Sequence, residues 1–177
     1  IVVDAGVHTC DVMQYYFGPT REVMAKTALF EPVRYKGERL GVSHFYEHWY
    51  NEVPDSIEAT AEDMLISIMT FESGVTAQWT TFVSAHGQGF SQSGIYGSKG
   101  SLHDPGSRNG QPVVLHLDDE GEVSGDAVLE MVPDFHLDPV TASLFGGDRL
   151  GSYDLTFPEA DRKLLAVEYQ ELGDCIL

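Results

Sequence analysis

The sequence predicts an α+β fold: an open, mainly antiparallel β-sheet with helices on one face and the other face available for subunit packing. Three observations carry this expectation. Apolar residues recur at the helical period near both ends of the chain, at 7, 10, 13 and 17 and again at Leu164, Leu165, Leu172, Cys175 and Ile176. Between them, residues 64–71 and 75–85 are extended runs flanking Glu72-Ser73-Gly74, the pattern of an antiparallel hairpin. The first of these runs is apolar on both alternating sides. Both faces of its sheet therefore require cover, one by helices and the other by a further surface such as a second subunit.

Along the chain, residues 6–17 form the first helix, stopped by Gly18-Pro19. Residues 22–29 alternate and contain β-branched side chains, as a strand does. Residues 30–55, rich in Pro, Gly, His and Tyr, read as a long irregular loop, a candidate lid or pocket rim. After the hairpin, residues 89–96 form a strand leading into Gly97-Ser98-Lys99-Gly100-Ser101-Leu102, and residues 112–117 form another. Residues 118–125 are an acidic turn region, and 126–155 mix short apolar runs with Pro, Gly and Asp and contain no long element. Thr156-Phe157-Pro158-Glu159 has the form of a capping box, with Thr as cap, Pro in the first turn and Glu three residues on. The last helix runs from about residue 158 to 172 or beyond.

A chain of 177 residues buries one sizeable core, so a single domain is expected. Its 10 Lys and Arg against 28 Asp and Glu give a net charge of −18, which repels phosphate backbones and anionic membranes and excludes nucleic-acid binding. There is no apolar run of bilayer-spanning length and no signal-peptide pattern. Cys10 and Cys175 lie far apart, each among apolar neighbours in a helical segment. They read as buried free thiols in a cytoplasmic protein. The chain opens without Met on an apolar run, as a processed protein or an excerpt of a longer one would.

The chemistry-bearing segment is the opening Ile-Val-Val-Asp-Ala-Gly-Val-His-Thr-Cys-Asp, which sets Asp4, His8 and Asp11 on one helix face. A carboxylate beside an imidazole is what proton transfer near neutral pH needs, because the carboxylate orients the ring and stabilises its charged form. The same spacing also suits a solvated helix face or an N-terminal cap.

The run Asp4-x-Gly6-x-His8-x-x-Asp11 with Phe17-Gly18 after it, followed by Ala61-Glu62-Asp63, Phe71-Glu72-Ser73-Gly74, Ile95-Tyr96-Gly97-Ser98-Lys99-Gly100-Ser101 and Glu168-Tyr169, resembles the C-terminal domain of the Gfo/Idh/MocA oxidoreductases. The resemblance covers nearly the whole chain. It implies an inositol-dehydrogenase-like, NAD- or NADP-dependent hydride transfer on a sugar, polyol or related alcohol, with this domain supplying substrate contacts and homo-oligomer (dimer or tetramer) interfaces through the sheet face. Under it, His8 matches the general acid or base for the reacting hydroxyl, Asp4 orients the ring or the substrate, and Asp11 is structural.

The departures are equally specific. No strand is followed by Gly-x-Gly-x-x-Gly, so the cradle that holds a pyrophosphate is absent, and no Lys-Pro matches the family's catalytic lysine. The N-terminal Rossmann domain is thus expected to be missing from residues 1–177, and the chain alone is expected to hold no cofactor and to be inactive. A non-catalytic sheet module that self-associates or binds a ligand is the alternative reading.

Among the other residues, His86 and Gln88, in His86-Gly87-Gln88-Gly89, follow the hairpin and suit sugar hydroxyls, or form a glycine-softened turn. Trp49, with His44, His48 and Tyr50, suits carbohydrate stacking, or a loop pinned by aromatic burial. His44 and His48 alone do not make a zinc site. Trp79, on the apolar side of its strand, reads as core or interface.

Overall fold

A computed structural model describes residues 5–37, 49–106 and 108–176. The chain divides into two compact units, Ile1–Gly89 and Phe90–Leu177.

In the first unit, helix α1 (Ala5–Phe17) ends where the Gly18 N–H donates to the Gln14 carbonyl at 2.8 Å. Gly18 adopts φ +83°, which an L side chain resists, so the glycine turns the chain into strand β1 (Thr20–Ala28). A short strand β2 (Val33–Tyr35) pairs antiparallel with β3 (Ser56–Glu58). β2 falls within the stretch expected to be irregular. Three residues are too few to register a period, and their partner stands more than twenty positions away. The predicted hairpin forms as β4 (Met64–Phe71) and β5 (Thr76–Phe82), giving a three-stranded antiparallel sheet in the order β1-β4-β5.

The two sides of β4 have different fates. Leu65, Ser67, Met69 and Phe71 are buried on one side, where Ser67 pairs with Trp79 and Met69 with Ala77 of β5. Helix α1 covers this side, with Phe17 and Phe71 rings 5.4 Å apart and the Ser73 hydroxyl donating to the Phe17 carbonyl. On the other side Ile66 and Ile68 are exposed, joined by Met24 of β1 and Phe82 of β5.

The second unit is a four-stranded antiparallel meander followed by helices. Its strands are β6 (Ser93–Gly97), β7 (Gly100–Asp104), β8 (Val114–Leu117) and β9 (Gly121–Ser124), in that order. The Gly-Ser-Lys-Gly run is the two-residue turn between β6 and β7, and a Cβ on Gly100 would collide with the His116 carbonyl of β8. β9 corrects the acidic-turn expectation: residues 118–120 turn, and Val123 returns opposite Leu115. Two short helices follow, α2 (Asp126–Met131) and α3 (Pro139–Phe145). The Arg149 guanidinium donates to the carbonyls of Leu129, Val132, Pro133 and Phe135, satisfying the end of α2 and the segment after it. Lys163 does the same at the end of α3, donating to the Leu144 carbonyl.

Helix α4 (Phe157–Ile176) starts as the capping box requires, with the Glu159 carboxylate accepting from both the Thr156 N–H and its hydroxyl. Its apolar stripe is open to solvent at Tyr169, Leu172 and Ile176. Both cysteines are free, but Cys10 is half-buried and Cys175 exposed, which corrects the expectation of two buried thiols. Helical period identifies a stripe and says nothing about whether a neighbour covers it. Among the described residues, no helix is long and apolar enough to cross a membrane.

The architecture is therefore α+β, with open antiparallel sheets and, among the described residues, no closed barrel.

Candidate functional site at the open end of the first sheet

The site begins with how α1 is set on its sheet. Gly6 lies so close to the Trp79 indole that an added Cβ would stand 2.6 Å from ring atom Cη2. At its other end Phe17 packs on Phe71. The helix thus runs from the middle of β5 back toward the β4–β5 turn. Its first turn, which carries His8, lies toward the end of the sheet from which β5 continues into residues 83–88. His8 and Asp11 are both solvent-exposed on α1. Asp4 lies outside the described residues, as do His44 and His48.

At that same end of the sheet, Asp63 is fully buried immediately before β4. Its carboxylate accepts from the Phe30 N–H and the Glu31 N–H, each at 2.9 Å, and Arg34 Nη2 stands 3.7 Å from Oδ2. Burial opposes its ionisation, but the two N–H donors and the Arg34 charge outweigh that, and the carboxyl is held below its ordinary value. Its own N–H donates to Ala28 at the end of β1, and its carbonyl accepts from Val83 just past β5. One residue therefore ties together the ends of all three strands.

The two segments so tied carry facing side chains. His86 Nε2 is 2.6 Å from Glu31 Oε1. Gln88 is exposed two residues further on, next to Gly87 at φ +92°. Trp49 is partly exposed and begins a short helical turn, whose Tyr50 hydroxyl donates to the Gly37 carbonyl and whose Tyr50 ring lies under the Lys36 ammonium. The first unit thus carries every described residue that the sequence analysis gave a catalytic or substrate-contacting role: His8, Trp49, His86 and Gln88.

Glu31 and Asp63 were not among them. Asp63 had two readable signals, its place in the Ala61-Glu62-Asp63 landmark and its position as a carboxylate abutting an apolar run that must be buried, where an unpaired charge is untenable. Glu31 had none, since its partner is 55 positions away.

A dinucleotide does not fit the described residues. All strand pairs are antiparallel, and no strand passes through a glycine-rich turn into a helix N-terminus that could hold a pyrophosphate. Among the described residues, no three His, Cys, Asp or Glu side chains converge as metal ligands.

Comparison with known proteins agrees with this architecture. No curated protein matches the chain. Among solved structures, an NAD binding oxidoreductase from Klebsiella pneumoniae is 23% identical with a TM-score of 0.60, over 92% of this chain and 38% of that one. An oxidoreductase from Agrobacterium radiobacter, in complex with NAD+, L-tartaric acid and magnesium, is 17% identical with a TM-score of 0.47, over 72% of this chain and 30% of that one. The Klebsiella protein shares the fold, and the chain spans well under half of either protein. The family model of the GFO/IDH/MocA C-terminal domain matches residues 1–103, from before α1 through the β6–β7 turn into β7. With that match over more than half its length, the chain belongs to the GFO/IDH/MocA family, as a C-terminal domain.

Proposed function

We propose that this chain is the substrate-binding and subunit-packing part of a cytoplasmic NAD- or NADP-dependent oxidoreductase that acts on a sugar, polyol or related alcohol by hydride transfer. The observation that carries the reading is the family match across the Asp4, Gly6 and His8 run, together with an exposed His8 on a helix seated by the Gly6–Trp79 contact. His8 exchanges the proton of the reacting hydroxyl, and Asp4 orients the ring or the substrate. His86, Gln88 and Trp49 supply substrate contacts. The cofactor belongs to a Rossmann domain elsewhere in the parent protein, because the residues described here do not build its cradle. The Klebsiella relative is an NAD binding oxidoreductase, which supports that assignment of cofactor type. The two free cysteines are consistent with the cytoplasm.

The test is His8→Ala in the full-length gene product, assayed with NAD and with NADP. Turnover is expected to fall by roughly 10²- to 10⁴-fold. Near-normal turnover would sink the reading.

A second role is favoured by the open face of the first sheet, where Met24, Ile66, Ile68 and Phe82 are exposed among Glu22, Lys26, Gln78 and Thr80. We infer that two copies associate through it. Light scattering at micromolar concentration should give a dimer or tetramer, and a monomer counts against this role.

A further inference from the structure

We propose that Glu31 and His86 form a hydroxyl-recognising pair, in which Glu31 is a positioning residue that fixes the proton arrangement of the His86 ring and selects an uncharged polyhydroxyl substrate over an anionic one. The proposal rests on the reading of this chain as the substrate part of a sugar or polyol oxidoreductase.

The exposure of the pair argues against a purely stabilising role. The His86 side chain is 90% exposed and that of Glu31 36%, and an exposed pair of this kind contributes little to stability. Yet the Glu31 backbone is held directly by the Asp63 carboxylate, and the segment that carries His86 is anchored at Val83, three residues before it. Asp63 accepts the Glu31 N–H on its carboxylate and the Val83 N–H on its carbonyl, so one buried residue sets the segment that carries Glu31 and the start of the segment that carries His86. A solvent-facing imidazole oriented by a carboxylate that is itself anchored is the arrangement of a binding group, part of whose ordering cost is met during folding.

The chemistry then specifies the ligand. An ionised carboxylate only accepts, so at 2.6 Å from Glu31 Oε1 it is His86 Nε2 that carries the hydrogen. In the neutral ring Nδ1 is left as an acceptor, and among the described residues it has no partner. It can take the hydrogen of a substrate hydroxyl. An anionic ligand would meet the Glu31 charge across the ring, within a chain of net charge −18. A neutral sugar or polyol meets no such repulsion. The pair is also separate in role from His8, which exchanges the proton of the reacting hydroxyl.

The experiment uses the full-length gene product, with myo-inositol and D-glucose as neutral probes and D-gluconate as the anionic one. His86 imidazole ¹⁵N resonances are followed during titration with each probe, and steady-state kinetics are measured for Glu31→Gln, His86→Ala and His8→Ala. The expected result is a His86 signal of the Nε2–H form that shifts with a neutral probe. Glu31→Gln, whose amide oxygen still accepts but carries no charge, should weaken that tautomer preference, raise KM for the neutral probe roughly tenfold with kcat little changed, and narrow the preference over gluconate. If neither neutral probe moves the His86 resonances, or if KM is unmoved in both Glu31→Gln and His86→Ala while His8→Ala abolishes turnover, the inference is overturned and the proposed function stands. Normal turnover in His8→Ala overturns the proposed function instead, and the resonance titration still decides the pair.

Discussion

The two units of this chain are held together by different means. In the first, Met64, Leu65, Met69 and Phe71 are buried on or beside a central strand, and a buried carboxylate ties the strand ends. In the second, Ala160 is the fully buried apolar residue among those described, and order comes from groups at helix ends: Asp138 and Glu159 at the starts of α3 and α4, Arg149 and Lys163 on carbonyls at the ends of α2 and α3. The lesson is that a sheet with one covered face supplies hydrophobic burial, while a meander with short helices depends on satisfying backbone groups. The candidate site lies in the unit with the packed core, which suits side chains that must be held in place.

The contrast can be broken by mutation, because Trp49 and Trp79 are both in the first unit and, among the described residues, three of the four helices are in the second. Tryptophan fluorescence therefore reports on one unit and far-ultraviolet circular dichroism mainly on the other. The largest effect is expected for Phe71→Ala, which empties the space beneath Phe17 and should cost the first unit about 3–5 kcal/mol. In urea, the fluorescence transition should move to lower denaturant while the helical signal keeps its midpoint. Equal shifts in both signals would show that the units unfold as one.

The reciprocal change, Arg149→Ala, strips the donors from four carbonyls in the second unit. A loss of roughly 1.5–3 kcal/mol is expected, seen in the circular dichroism transition and not in the fluorescence.

Acid should sharpen the comparison with the smallest effect. The Asp63 carboxyl is held below its ordinary 3.8 against the cost of burial, by the Phe30 and Glu31 N–H groups and Arg34. Its unfolded form takes up a proton first as pH falls, so its stabilisation is complete above about pH 5 and drains away below 3.8 toward the lowered folded value. Asp138 and Glu159 are lowered too, chiefly by hydrogen bonds from Thr141 and Thr156. They stand at helix starts open to solvent, so the second unit should respond more gently over the same range. A fluorescence midpoint indifferent to pH between 5 and 3 would contradict the role given to Asp63.

Much of this was legible in the residues. The period at 7, 10, 13 and 17 with Gly18-Pro19 after it marks α1, and the structure has it at Ala5–Phe17. The double run around Glu72-Ser73-Gly74 marks the hairpin, and Thr156 with Glu159 marks the start of α4. Gly6 is explained only by the structure, as the spot where the Trp79 ring meets the helix. Residues 126–145 hid two helices of six and seven residues, each too short to repeat an apolar stripe.

What the sequence by itself determined is whatever depends on neighbours a few residues apart: helix periods, caps, the tight turns and the alternation of β4. What only the tertiary structure decided is which side of β4 is covered and the meeting of Glu31 with His86 beside Asp63. These last contacts join residues 32 to 55 positions apart. No local pattern encodes such a pairing, because it follows from where whole strands end once the sheet has assembled.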